Sequence, residues 1–336
     1  MPQPKHRDVE VPACTQPIPP LRIVQSQLNQ VQSLMIDEFI NESLSDLLRP
    51  SMEHALGHPG KMIRPGLVLL SGLGFGRLTP QHLHVAAIME MIHQATLLHD
   101  DVLDEAEIRR GRPAARCLWG NATAVLLGDM ILSRVLQRCI DLRPDVAHVV
   151  ADMACRVCQG ELRQTLKREN GQITEQEYLG IIQDKTASFF TACCEVGAIL
   201  AEASSEQIEA VSLYGMNVGM AFQMTDDVLD LVASPEEAGK TAGLDAGKGI
   251  LTMPVIHLLR ILSEADRDDL INHFQGREDL SDLLREQTIR HGSLDYVRSR
   301  CQDHVNKAIQ ALNGIDDSCA KKALVELAHY SLIRKV

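Results

Sequence analysis

Leu97-Leu98-His99-Asp100-Asp101-Val102-Leu103-Asp104 and Phe222-Gln223-Met224-Thr225-Asp226-Asp227-Val228-Leu229-Asp230 carry one pentapeptide, Asp-Asp-Val-Leu-Asp, in two separate apolar, helix-forming surroundings. On a helix, residues four apart lie one turn above each other on one face, so Asp100 projects with Asp104 and Asp226 with Asp230. Like charges that close repel, and keeping them ionised beside Leu97, Leu98, Val102 and Leu103 is costly unless a cation lies between them. Magnesium meets that need: it takes one or two carboxylates, keeps several waters and completes its octahedron with phosphate oxygens. One acidic patch alone reads most simply as a solvated helix face. Two identical copies in apolar settings read as paired metal clamps, and two facing clamps would hold a diphosphate.

The surrounding chain fits an all-α bundle. Its 336 residues run in long Leu-, Ala-, Val-, Met- and Ile-rich helical patterns with 3% aromatic residues and no clear alternating strand runs. Six prolines between Pro2 and Pro20 mark residues 1–20 as a flexible lead-in, and residues 21–336 read as one domain. Helices are expected over 21–48, from about Arg64-Pro65, and over 81–104, 121–141, 145–169, 175–203 and 205–232; Pro50 breaks the first of them. A basic loop spans 108–113, a second loop spans 234–249, and helices resume from Met253.

A net charge of −12 with no Lys/Arg stripe excludes a nucleic-acid partner. Nine scattered cysteines, an odd number, indicate a reducing, cytoplasmic setting, and Cys155-x-x-Cys158 reads as a pair of core thiols. No apolar run reaches the roughly 20 residues of a membrane span.

Cations stand in short segments opposite the carboxylates: Lys61 and Arg64, Arg109 and Arg110, Lys185, and Lys240. Each lies at a helix end or beside a clamp, where guanidinium forks and helix N-termini grip phosphate oxygens. Gly60-Lys61-x-x-Arg64-Pro65, Leu97-Leu98-His99-Asp100-Asp101-x-x-Asp104 with Arg109-Arg110-Gly111, Lys185-Thr186, and Phe222-Gln223-x-x-Asp226-Asp227-x-x-Asp230 follow in order. Over about residues 25 to 336 this series resembles the trans-polyprenyl diphosphate synthases.

The resemblance implies an isoprenoid-synthase-type bundle whose two aspartate-rich helices face each other across a deep central cavity. It implies about three magnesium ions on Asp100, Asp104 and Asp226, with Asp101, Asp227 and Asp230 completing the acidic sets. Arg109, Lys185 and Lys240 would grip an allylic diphosphate, and Lys61, Arg64, His93 and Arg110 would hold isopentenyl diphosphate. Departure of the allylic diphosphate would leave a carbocation steadied by the Lys185 carbonyl, Thr186 and Gln223, and head-to-tail condensation would lengthen the chain by five carbons. The resemblance further implies a homodimer and a transient membrane contact for product release.

Two positions depart from the family pattern. Met62 and Ile63 stand where a further basic residue is common, and Ile250 stands where a lysine is usual, with Lys248 two residues earlier. Product length turns on the residues one turn above Asp100. Ala95 and Thr96 are small, which predicts a product longer than farnesyl, with a floor set deeper by Ile92, Met91 or Ile88 and by Met153 or Val157. A terpene cyclase, a head-to-head synthase and a non-catalytic partner subunit are the rival readings; retention of both clamps weighs against each.

Overall fold

The computed structural model describes residues 18–37, 45–58, 60–170, 173–232, 251–267, 270 and 281–333. The expectations for residues 1–17, Lys240, Lys248 and Ile250 therefore lie outside the described residues. A 3-10 turn, Pro19–Val24, leads into α1 (Gln25–Ile36), followed by α2 (Arg49–Leu56), α3 (Ile63–Phe75) and α4 (Pro80–Leu103). A two-residue hairpin, β1 (Ile108–Arg109) and β2 (Arg112–Pro113), precedes α5 (Ala115–Trp119), α6 (Asn121–Cys139), α7 (Pro144–Asn170) and α8 (Glu175–Ile182). A π turn, Gln183–Ala187, joins α8 to α9 (Ser188–Leu200), and α10 (Ser205–Val232) follows. Four further helices, α11 (Met253–Ile261), α12 (Ser281–Arg290), α13 (Ser293–Ala311) and α14 (Cys319–Ile333), complete the described chain.

The helices start where local chemistry dictates. Thr79 and Pro80 open α4, and the Thr79 backbone N–H donates to His82 Nδ1 at 3.0 Å. That contact fixes the tautomer. His82 must then carry its proton on Nε2, which donates to the Gly197 carbonyl at 3.2 Å and ties α4 to α9. Pro50 sits in the first turn of α2, so it begins a helix where the sequence predicted a break. Ile18, Pro20 and Leu21 are buried, so the ordered core reaches into the expected lead-in.

In the centre, α9 packs against α3, α7 and α10, while α4 packs against α3 and α6. Leu67, Leu69, Phe189, Phe190 and Tyr214 belong to the larger apolar cluster, and Tyr178, Met224, Met253 and Leu258 to a second one around the end of α10. Cys193, Cys194 and Cys301 are buried as expected, but Cys155 and Cys158 are exposed free thiols. Both sit on the outer side of α7, so the sequence reading of core thiols is corrected there.

His304 joins α13 to α10 by a 2.9 Å hydrogen bond between Nδ1 and Asn217 Oδ1. Burial, with Lys307 and Arg300 adding to it, holds its pKa down at about 4. The unfolded chain therefore binds a proton that the native state refuses, and stability present above about pH 6.5 is lost as pH falls toward 4. Melting temperature between those pH values is expected to fall less in His304→Gln than in the parent, as differential scanning fluorimetry across a pH series would register.

Candidate active site

Helix α4 ends on the first acidic motif and α10 on the second. Asp100 and Asp104 are partly exposed, and the Asp104 N–H closes the turn onto the Asp100 carbonyl at 2.7 Å. Burial, with Glu161 and Asp104 close by, pushes the Asp100 carboxyl up to about 6 against the pull of Lys185 and Arg109. A carboxylate pair under that strain suits a hard cation.

Asp101 behaves differently. It lies about 100° round the helix from Asp100 and is buried, accepting from Arg109 Nε at 2.7 Å and Nη2 at 2.5 Å. Asp227 repeats the pattern in α10: Tyr178 Oη donates to its Oδ2 at 2.5 Å and Gln223 Nε2 to its Oδ1 at 3.0 Å. The middle aspartates, expected among the metal ligands, are thus committed to protein donors. Arg109, expected on a diphosphate, has two of its nitrogens on Asp101.

The π turn lies between the two motifs. Lys185 Nζ donates to Gln164 Oε1 at 2.9 Å and pairs with Glu161, both on α7. Burial lowers the Lys185 pKa, but Asp100, Glu161 and Asp104 together outweigh it and hold the ammonium charged. The next residue turns the other way. Thr186 Oγ1 donates to Gln223 Oε1 at 2.7 Å, four residues before Asp227. Sequence periodicity predicts one continuous helix over 175–203; the wider turn at 183–187 is what allows consecutive residues to serve both motifs, and such turns recur at functional sites. Glu161, Gln164 and Tyr178 were not singled out from sequence. Glu161 and Gln164 stand in a polar stretch of α7, Gln159 to Lys167, and Tyr178 reads as an ordinary core aromatic, so nothing local marked them.

Removing the Tyr178 hydroxyl leaves Asp227 short of one donor, at a cost of about 1.5–3 kcal/mol for a hydrogen bond to a charged group. Tyr178→Phe is expected to melt several degrees lower and to turn over about tenfold more slowly. Thermal melts paired with single-turnover rates would check this; a lower melting point with an unchanged rate would place Tyr178 outside the chemistry.

The basic groups come together from three elements. Arg110 and Gly111 both have positive φ, 52° and 71°, and form the two-residue turn of the hairpin, in which Arg109 pairs with Arg112. Gly60 also has positive φ, 74°, which glycine adopts without strain, and the Arg110 guanidinium lies close against its Cα. Arg110 Nη1 donates to the His58 carbonyl and to Gln94 Oε1, the latter at 3.3 Å. Arg64, in the first turn of α3, stacks over Phe189 at 4.8 Å and Phe190 at 5.4 Å, and its Nε is buried without a hydrogen-bond partner. His93 packs edge-on to Phe189 at 6.4 Å, and burial plus the guanidiniums of Arg64, Arg110 and Arg109 hold it uncharged. Any contact it makes with a phosphate is therefore through a neutral N–H. Lys61 is exposed at the mouth of α3. Ile92 and Ala95 are buried on α4, and Thr96 donates its hydroxyl to the His93 carbonyl at 2.9 Å. Met153 and Val157, the deeper candidates on α7, are also buried.

The donors offered to a cation are carboxylates, two to each motif on the i, i+4 face. Among the described residues no three His, Cys, Asp or Glu side chains converge into a ready-made metal cage. Two carboxylates per clamp with room for outside oxygens fit magnesium, which coordinates in that manner.

Residues 45–289 match the family model of the polyprenyl synthetases. A short chain isoprenyl diphosphate synthase from Methanothermobacter thermautotrophicus is 38% identical over 314 residues, 90% of this chain and 96% of its own. The octaprenyl diphosphate synthase of Escherichia coli is 36% identical over 279 residues, 82% of this chain and 86% of its own. A polyprenyl synthase from Caulobacter crescentus, solved in complex with calcium and isoprenyl diphosphate, superposes with a TM-score of 0.88 at 31% identity, covering 94% of this chain and 97% of that one. With the family model matched over residues 45–289, relatives at 36–38% identity over most of both chains and a solved structure superposing at a TM-score of 0.88, the chain belongs to the polyprenyl synthetase family.

Proposed function

We propose that the protein is a cytoplasmic, magnesium-dependent polyprenyl diphosphate synthase that joins isopentenyl diphosphate head-to-tail to an allylic diphosphate. The observation that carries the reading is the π turn, which directs Lys185 to Asp100 and Asp104 and Thr186 to Gln223, one turn before the second motif. Asp100, Asp104, Asp226 and Asp230 would hold the metal. When bound, magnesium neutralises the leaving diphosphate and orients it. Lys185 and Arg109 add positive charge at the same oxygens, and Lys240 is assigned there from the sequence.

The allylic C1–O bond breaks with its electron pair leaving on diphosphate. The positive charge left at C1 is steadied by the Thr186 hydroxyl and the Gln223 amide, which their mutual hydrogen bond holds in place. Arg64, Arg110, Lys61 and the neutral His93 hold isopentenyl diphosphate, whose double bond attacks C1. A proton lost from the resulting cation goes to the departing diphosphate, giving a product five carbons longer.

A product longer than farnesyl is supported by the small residues Ala95 and Thr96 above Asp100 and by relatives named for octaprenyl products. A homodimer is supported by Leu126, Leu136 and Ile140 on and just after α6, which are 65%, 69% and 81% exposed. Among the described residues no helix is long and apolar enough to cross a membrane, so any membrane contact for product release would be at the surface. The deciding experiment is incubation of the protein with magnesium, farnesyl diphosphate and labelled isopentenyl diphosphate, with chromatography of the dephosphorylated products. A ladder ending at one long polyprenol supports the reading; absence of elongation from every allylic starter sinks it.

A further inference from the structure

Glu90 is the most heavily buried carboxylate of α4, 1% exposed, with no place in the reaction scheme above. It lies in the stretch Met89-Glu90-Met91-Ile92, where its neighbours in sequence are all core residues. Such a charge is rarely buried without compensation. Its Oε1 accepts from Gln94 Nε2 at 2.6 Å, and Gln94 Oε1 in turn accepts from Arg110 Nη1 at 3.3 Å. Arg64 from α3 and Arg110 from the hairpin are the two positive charges that act on Glu90. Around these groups stand the uncharged His93 on the same helix, Cys193 on α9 with its thiol held protonated by burial, and Asp226 on α10, which acts on Arg64. Gln94 thus bridges the buried carboxylate to the Arg110 guanidinium, while Arg64 acts on it through its charge without a direct hydrogen bond.

We propose that Glu90 is the resident counter-charge of Arg64 and Arg110: it holds Arg110 in place through Gln94 in the ligand-free site and yields its charge, by taking up a proton from solvent, when the diphosphate of isopentenyl diphosphate arrives. This rests on the reading that these arginines hold that ligand. The arriving anion takes over the guanidiniums' attention. Glu90, left in an apolar site beside a new negative charge, then favours its neutral form. Burial already pushes its pKa up to about 7, against the pull of Arg110 and Arg64, so a small further push completes protonation near neutral pH.

The test is calorimetric titration of isopentenyl diphosphate into the metal-free full-length protein at pH 7, without allylic substrate, in two buffers of different ionisation enthalpy. The difference in net proton uptake between the parent and Glu90→Gln cancels the ligand's own ionisation. About half a proton more per ligand is expected for the parent, because a group titrating at about 7 is half charged at that pH. Glu90→Asp keeps the carboxylate and should keep the uptake, which also guards against a misfolded Gln variant. Equal uptake in the parent and Glu90→Gln would overturn the proposal. A difference in uptake from a protein that never elongates any allylic starter would uphold the counter-ion role while sinking the transferase reading; elongation with equal uptake would do the reverse.

Discussion

Asp100→Ala is expected to lower the rate of allylic condensation by about a thousandfold or more, and Asp226→Ala to match it. Each removes one carboxylate of a two-carboxylate clamp, and metal stabilisation of a departing diphosphate is worth several kcal/mol, where about 4 kcal/mol corresponds to a thousandfold. Asp101→Asn supplies the contrast. Its side chain is buried against Arg109, so its loss reorients one guanidinium and leaves the clamp oxygens of Asp100 and Asp104 in place. About a tenfold loss is expected there. Initial rates at saturating magnesium, with helix content verified by circular dichroism, would decide between them. Equal losses at positions 100 and 101 would remove the distinction between the outer and middle aspartates.

A methyl group at position 160 or 219 is also expected to slow the reaction, although neither glycine touches substrate. A Cβ on Gly160 would lie 2.4 Å from the Lys185 backbone nitrogen, and one on Gly219 would lie 2.5 Å from the Ala187 Cα. Both obstacles are backbone, so the π turn itself must shift. Overpacking of this kind costs about 1–3 kcal/mol, and displacement of a catalytic group by about 1 Å can cost a hundredfold in rate. Gly160→Ala and Gly219→Ala should therefore lose ten- to a hundredfold in kcat, by a rough reading of that scale, and melt several degrees lower. Gly180→Ala is the control: nothing lies within 4 Å of its Cβ position, and helix propensity favours the change by up to about 1 kcal/mol. If all three variants behave alike in melting and kinetic assays, close packing onto the turn is not what positions Lys185 and Thr186.

The fold was legible because the hydrophobic repeat and the two acidic motifs are strong local signals, and both motifs lie where helical spacing put them. The i, i+4 pairing of Asp100 with Asp104 needs only the helix. What Asp101 and Asp227 do needed the partners: Arg109 is eight residues away, but Tyr178 is 49 residues from Asp227 and reaches it only through packing of α8 against α10. The π turn was hidden for a related reason. Apolar residues continue on both sides of it, so a pattern of period 3.6 reads straight through the extra residue. Glu90 was visible as a lone acid in an apolar run, yet its link to Arg110 depends on a hairpin turn with a left-handed arginine. Position 60 shows the converse, since the demand for glycine there is local, a left-handed backbone with φ of 74°.

The extra residue in the π turn also resets the angular phase of the chain by about 100°. Before it, Tyr178 and Ile182 face the second apolar cluster; after it, Phe189, Phe190 and Cys193 face the first. One continuous rod thereby serves two cores that an unbroken α-helix would meet with only one side. Deleting a single residue from 183–187 would straighten the rod and swing one apolar face into water, so the five residues that carry Lys185 and Thr186 are also the joint on which the two cores are indexed to each other.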